Sequence, residues 1–536
     1  MNIKPFARSL RLTLCFTAAS LATIHAAVLD LETATILDLQ KAYDAGLTSE
    51  KVVDAYLKRI AAYDQSGPKL NTILTLNPKA LEIARALDAE RKARGPRSLL
   101  HGVPVLVKDN YDTSDMATTG GAKALAGTVP FRDAFTVARL RAAGAIILAK
   151  TNLDEFARGA TGTSSLGGQV LNPYNLEKIP GGSSGGSGAG VAALFGWIGL
   201  GTETGSSIRN PSTKANLVGF APSEGLVSRG GIIPISITYD RAGPMTRSVT
   251  DAAITLSIMA GTDASDLFSY KGLGKTPADN YLSSLKKDGL KGARIGVVRE
   301  LFGSEEADKP AVALIDAAIQ KLKDAGAILI DPLPVDANLW DVVRETNYGN
   351  AENRIALEAY FASRGPQFPI KTIPDLVKGG VIGRLQKRYD EEQSAPEPTG
   401  NAEYVAKLKG RYVLRDFVHE IMDRWSVDVL VYPHETKPVR TIADAVPNKG
   451  ETPTSPNEPR SRVVGNGNRI STATGMPAMT VPAGFNTDGV PVGLEILSRL
   501  YDEPTLIRVA YAYEQVNPQR KLPATTPLIG VEKIAY

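Results

Sequence analysis

Two stretches carry serine and glycine at a density that points to chemistry. The first is Pro180-Gly181-Gly182-Ser183-Ser184-Gly185-Gly186-Ser187-Gly188-Ala189-Gly190, which runs into an apolar helical pattern from Val191 to Trp197. The second is Gly201-Thr202-Glu203-Thr204-Gly205-Ser206-Ser207-Ile208-Arg209-Asn210-Pro211. Glycine at this spacing lets backbone N–H groups converge on an anion or a developing oxyanion. Serines held in such loops are candidate nucleophiles. A serine nucleophile needs a proton acceptor, and histidine is scarce. Beyond residue 27 only His101, His419 and His434 remain. His419 lies in a helical pattern with Val413, Leu414, Phe417 and Val418, which suits packing. His434 follows a strand and Pro433, which suits a structural or substrate-side place. Lysine can serve instead where burial keeps its amine neutral. Lys108 ends the apolar strand of HGVPVLVKDN, where a lysine is otherwise out of place.

Other readings of these residues differ in what they require. A flexible linker would not flow directly into an apolar helix. A phosphate loop would end in Gly-Lys-Ser/Thr, and no lysine stands there. Gly181-Gly182-Ser183-Ser184-Gly185 satisfies G-x-S-x-G, the nucleophile elbow of the α/β-hydrolases. That elbow follows a strand, whereas Asn172 to Pro180 contains two prolines and no β-rich run. His419 or His434 could supply its histidine, so a serine esterase of that type stays an alternative. Ser283 to Lys286 matches S-x-x-K within polar SSLKKDG and reads as a solvated helix end. No histidine and acid cluster has metal-ligand spacing. Neither a metal nor another cofactor is expected.

The elements that must hold these residues alternate. Val52, Val53, Tyr56, Leu57 and Ile60 share a helical face. Asn77-Pro78 reads as N-cap and first helical residue, and Gly95-Pro96 as the stop. Val103, Val105 and Val107 predict a strand ending at Lys108-Asp109. Helices are predicted over Phe135–Ala143 and Pro310–Ala325. Strands are predicted over Ala145–Ala149, Ala293–Val298, Ala327–Ile330 and Val427–Tyr432. AAGAIILAKTN and DAGAILIDP are two copies of a helix–Gly–strand junction. The alternation predicts an α/β protein with a central twisted mixed, largely parallel sheet covered by helices on both faces. Glu391–Asn401 and Ala445–Arg460 read as long loops.

The chain has 536 residues, 43% hydrophobic and 22% charged, with a net charge of +4. It can bury a large core, so disorder is excluded as its overall state. Met1–Ala27 reads as a secretory signal. Lys4, Arg8 and Arg11 precede an apolar run, Leu12–Ile24, too short to span a bilayer, and a cut is expected near Ala26 or Ala27. This predicts a periplasmic or secreted protein. Without that segment and its three cations the charge is +1. So near-neutral a chain offers no footprint for nucleic acid, and nothing later reads as a stable membrane insertion. The one cysteine, Cys15, lies in the signal, which leaves no disulfide or thiolate chemistry to the rest.

Taken together, GVPVLVKDN, PGGSSGGSGAG and GTETGSSIRNPS resemble the lysine, glycine/serine and nucleophile segments of the amidase signature family. AKTNLDEFARG, GLVSRGGIIPISITYDRAGPMTRSVTDAA, TGMPAMTVPAGF and GVPVGLEILSR extend the likeness over most of the chain. The resemblance implies one amidase-signature domain over 28–536. Its parts would be 28–98, largely helical; 99–270, the signature core; 271–460, variable and on the substrate side; and 461–536, returning to the core. It implies a Ser–cis-Ser–Lys triad, with Lys108 as base, Ser183 after a cis peptide as the bridging serine, and Ser207 as nucleophile. Backbone N–H groups of Thr204, Gly205, Ser206 and Ser207 would form the oxyanion hole, with Ser184 and Arg209 orienting the loop. Two departures from the family pattern stand here. Ser206 replaces the usual glycine before the nucleophile, which puts a second hydroxyl beside Ser207, and Glu203 replaces a frequent aspartate. The implied activity is hydrolysis of a linear amide, aryl, fatty acyl, peptide or short-chain, through an acyl-enzyme. The alternative inside the family is an A-subunit-like glutamine amidotransferase of tRNA-dependent amidation. The expected partner is a small-molecule amide. The oligomeric state stays open, a homodimer included. Tyr348, Tyr360, Phe361, Phe368 and Tyr389 could line an apolar pocket or be plain core.

Overall fold

Short apolar runs separated by helical patterns build a layered α/β structure. A computed structural model describes residue 1 and residues 27–536, apart from 280, 338, 340–341, 344–345, 347–348, 394–396 and 446–468. Its strands are β1 Val28–Asp30, β2 Ile73–Leu76, β3 Pro104–Lys108, β4 Ile146–Thr151, β5 Thr163–Ser164, β6 Gly168–Gln169, β7 Ile198–Glu203, β8 Val218–Ala221, β9 Arg241–Thr246, β10 Arg294–Val297, β11 Ile328–Ile330, β12 Val429–Pro433, β13 Ala478–Phe485, β14 Pro491–Ser498 and β15 Lys533–Ala535. Eleven of them form one sheet in the order β11-β10-β12-β14-β13-β8-β9-β7-β3-β4-β2.

The sheet is mixed. Parallel ladders join β11, β10 and β12 in one wing and β7, β3 and β4 in the other. Antiparallel ladders through β14, β13, β8 and β9 connect the wings. Parallel pairing appears where a helix carries the chain back across a face. Phe135–Ala142 precedes β4, and Lys309–Asp324 lies between β10 and β11. Gly144 and Gly326, the glycines of the two repeated junctions, follow those helices with φ of +90° and +94°, a conformation glycine adopts without a Cβ penalty. Because helices cover both faces, β3 is buried along its whole length, which explains its unbroken apolar run.

Two boundaries differ from the sequence reading. The helix after Asn77 begins at Ala80, since the Asn77 side chain is engaged with the Ile147 carbonyl at 2.8 Å and the Lys79 N–H at 2.9 Å. The glycine tract does not precede a helix but is one, Gly185–Ala192. Its glycines allow contact too close for a side chain: a Cβ on Gly186 would overlap the Asn152 carbonyl oxygen, and one on Gly190 would lie 2.9 Å from Leu106.

A main apolar core runs along the sheet, and a satellite core lies beneath the helices of 353–393. Tyr360, Phe361, Phe368 and Tyr389 belong to that satellite core; Tyr348 lies outside the described residues, as does most of the predicted loop Ala445–Arg460. The signal segment Met1–Ala27 lies outside them as well, except for its two end residues. Among the described residues no helix is long and apolar enough to cross a membrane.

Gly186→Ala should lower stability by about 3 kcal/mol, the upper range for overpacking, because backbone stands in the way. Gly383→Ala, where an added Cβ meets nothing within 4 Å, should be neutral. Urea unfolding midpoints of the two variants check the pair.

Candidate active site

Strand β3 delivers Lys108 into the interior. Its amine lies 2.7 Å from Ser183 Oγ, 2.8 Å from Thr202 Oγ1 and 3.3 Å from the Thr202 carbonyl. Among the described residues no carboxylate lies within ion-pair distance of it. Burial pushes its pKa down to about 7, against the pull of the more distant carboxylates of Asp154, Asp240 and Glu203. A neutral amine has two N–H groups and one lone pair. The Thr202 carbonyl only accepts, and Thr202 Oγ1 accepts from Asn110 Nδ2 at 2.9 Å. One arrangement open to the neutral amine gives both its N–H groups to Thr202 and turns the lone pair toward the Ser183 hydroxyl.

Ser183 follows a cis Gly182–Ser183 peptide. The loop is gripped on both sides. Gly182 N–H donates to Asn210 Oδ1 at 3.2 Å, and Asp154 N–H donates to the Ser183 carbonyl at 3.1 Å. The Asp154 carboxylate accepts from the Thr161 and Gly162 amides and fills the space a Gly182 Cβ would need. Ser184 heads the glycine helix, and its hydroxyl donates to the Thr202 carbonyl at 3.3 Å.

Thr204, Gly205, Ser206 and Ser207 form a half-buried turn between β7 and the short helix Arg209–Lys214. The Ser184 N–H donates to the Ser207 carbonyl at 3.3 Å and so ties this turn to the cis-serine loop. The Gly205 carbonyl accepts from Thr472 Oγ1 at 2.8 Å and Arg209 Nη2 at 3.2 Å. The N–H of Ser206, anti to that carbonyl across a trans peptide, points the other way. The amides of Gly205, Ser206 and Ser207 donate to no acceptor among the described residues.

A buried ion-pair network fixes this turn from below. Glu203 pairs with Arg209 and Arg241, each at 2.8 Å, and accepts from the Ile208 and Arg209 amides. Burial pushes its pKa up, but the two guanidiniums hold it below the ordinary carboxylate value. Arg209 also pairs with Glu495, which takes a hydrogen bond from His434 Nδ1 at 2.6 Å. His434 is thus part of this buried framework. His419 sits half-buried on its helix, where Nε2 accepts from Leu500 N–H at 3.4 Å. Ser283 and Lys286 are exposed.

Several contributors went unread in the sequence. Asn110, two residues after Lys108, could have been found from its place in the motif. Asp154, Asp240 and Glu495 act from remote segments; each lies in a stretch that carries the family likeness, but no spacing marks it as a partner of this site. Asp240 accepts from Thr204 Oγ1 and from the amides of Ile235 and Ser236. A cavity of about 270 Å³ opens at this point, with Asn110, Thr202, Thr204 and Asp240 in its wall.

The comparisons with known proteins agree with this architecture. The family model described as Amidase matches residues 51–507. The A subunit of the glutamyl-tRNA(Gln) amidotransferase of Acinetobacter baumannii is 33% identical over 506 residues, covering 91% of this chain and 96% of the relative. The native peptide amidase of Stenotrophomonas maltophilia superposes with a TM-score of 0.81 at 35% identity, over 92% of this chain and 99% of that one. The A subunit of the glutamyl-tRNA(Gln) amidotransferase of Thermotoga maritima gives 0.70 at 25% identity, over 92% and 98%. The chain belongs to the amidase signature family, whose members are α/β enzymes acting on C–N bonds.

Arg209→Met should cost about 3–5 kcal/mol, since it leaves Glu203 and Glu495 as buried carboxylates without their shared cation. Urea unfolding of the variant measures the loss.

Proposed function

We propose that the protein hydrolyses a linear carboxylic amide through a serine acyl-enzyme. The observation that carries this reading is the buried Lys108 amine, 2.7 Å from Ser183 Oγ and held near neutrality. Lys108 takes the Ser183 proton as Ser183 takes that of Ser207, and Ser207 Oγ attacks the amide carbon. The developing oxyanion lies against the amides of the 204–207 turn; losing one such donor typically costs about 2.7–4 kcal/mol of barrier. As the C–N bond breaks, Ser183 passes a proton to the leaving amine and regains one from Lys108. Water then attacks the acyl-enzyme, giving its proton back along the same path and releasing the acid. Ser184 and Arg209 hold the two loops in register.

A second reading, an A-subunit-like glutamine amidotransferase, draws on the 33% identity over 91% of the chain. The two readings differ in self-sufficiency. An amidase turns over small amides alone, whereas an amidotransferase component would need partner chains for glutaminase activity. The signal-like Met1–Ala27 favours the first, with export to the periplasm or medium after a cut near Ala26 or Ala27. Amino-terminal sequencing of the exported protein tests that.

A fluorophosphonate should label Ser207. Ser207→Ala should remove the label, and Ser207→Ala and Lys108→Ala should each lower kcat/KM about a thousandfold or more. Labelling at Ser206 instead would move the nucleophile by one residue. For an uncharged amide, kcat/KM should climb as pH rises through about 7 and level off above it, because the base must first lose its proton. A profile flat from pH 5 to 9 would remove lysine from the role of base.

A further inference from the structure

We propose that the cavity beside Thr202 and Thr204 receives an uncharged, largely apolar group of the amide substrate, and that Ala356 and Ala359 set the size admitted. This rests on the amidase reading above and narrows it to a substrate class. One wall is the segment Ile232–Ile237. The facing wall is the helix Asn353–Ser363, which presents Ala356, Ala359, Tyr360 and Ser363, a spacing that puts all four on one helical face. Tyr360 is fixed in place: its hydroxyl donates to Asp112 Oδ1 at 2.7 Å and accepts from Arg364 Nη1 at 2.6 Å. Ala356 is buried, whereas Ala359 and Ile237 are exposed. The cavity is thus reached from solvent beside Ala359, and at two of its wall positions, Ala356 and Ala359, the side chain is only a methyl.

Its charge excludes an ionic occupant. The charged lining residues are Arg229, Asp240, Arg241 and Asp266, two of each sign. Arg229 pairs with Asp266 at 2.8 Å and lies over the Phe268 ring at 4.2 Å. Arg241 pairs with Glu203 at 2.8 Å. The Asp240 oxygens already take three donors. A charged group entering here would lose its hydration and find every charged lining side chain already ion-paired or hydrogen-bonded, with Arg241 Nε and Asn110 Oδ1 left as single polar atoms that suit a neutral amide or hydroxyl rather than an ion. The volume, about 270 Å³, exceeds the roughly 150 Å³ that suffices for benzene in an apolar cavity, so an aryl-alkyl group fits.

The test compares purified full-length enzyme with Ala356→Leu and Ala359→Phe. The readout is the ratio of kcat/KM for the better of 4-phenylbutanamide and N-(2-phenylethyl)acetamide over that for propanamide. We expect wild type to favour the aryl amide at least about tenfold and to turn over 6-aminohexanamide and succinamate at least about tenfold less well than it. Ala356→Leu should lower the aryl ratio about tenfold. A ratio within twofold of wild type in a cooperatively melting Ala356→Leu, or a charged amide turned over better than the aryl one, overturns the proposal. If Ala356→Leu does not fold, Ala359→Phe, at an exposed position, decides by the same criterion. Loss of all amide turnover together with absence of fluorophosphonate labelling at Ser207 in wild type would instead fail the amidase reading.

Discussion

A lysine amine buried with hydroxyl and carbonyl partners but no adjacent carboxylate is the constraint around which the site is arranged. An ammonium at that position would be taken out of water with no counter-ion beside it, a loss no hydroxyl makes good. The neutral form is the one the fold accommodates. The three carboxylates that pull toward protonation are each occupied elsewhere: Asp154 with the Thr161 and Gly162 amides, Asp240 with Thr204 and two amides, and Glu203 with Arg209 and Arg241. None of these acids is placed to form an ion pair with Lys108, so their pull acts only at a distance and burial outweighs it. A histidine base starts near neutrality; this lysine reaches the same range through burial, and so depends on the sheet around it staying packed.

That packing explains the glycines. The glycine helix lies against the Leu106 side chain of β3 and, at Gly186, against the backbone of Asn152 and Thr72. Gly182 yields its side-chain space to Asp154, Gly186 to Asn152, and Gly196 to Leu106. The glycine run is thus a packing surface, while in the turn at 204–207 the amides of Gly205, Ser206 and Ser207 have no acceptor among the described residues. Both stretches look alike in composition and do different physical work.

Much of this was legible where the signal was local. The valine alternation placed β3, the helix–Gly–strand junctions placed β4 and β11, and a lysine closing an apolar strand stood out against its surroundings. Propensity disfavours glycine in a helix, so the sequence points to a helix only after the tract, whereas tertiary contact makes Gly185–Ala192 helical. Asn110 was legible in principle, since its amide acts two residues from Lys108. Glu495 and Asp240 lie in stretches that carry the family likeness, but as hydrogen-bond partners supplied from remote strands and loops they leave no periodicity or spacing that marks their role.

The remoteness of Glu495 has a structural meaning. It lies on β14, which with β13 sits in the middle of the sheet, pairing with β12 on one side and with β8 on the other. Remove that hairpin and the sheet separates into two wings, one holding β10, β11 and β12 and the other holding β3 with Lys108 and β7 with the 204–207 turn. The same hairpin supplies the carboxylate that pairs with Arg209. The β13–β14 hairpin therefore completes both the sheet and the charge balance beneath the turn. Contacts this distant in sequence close only after long loops have been ordered. Arg209, beneath the 204–207 turn, therefore has both of its carboxylate partners only when β14 is docked in the sheet.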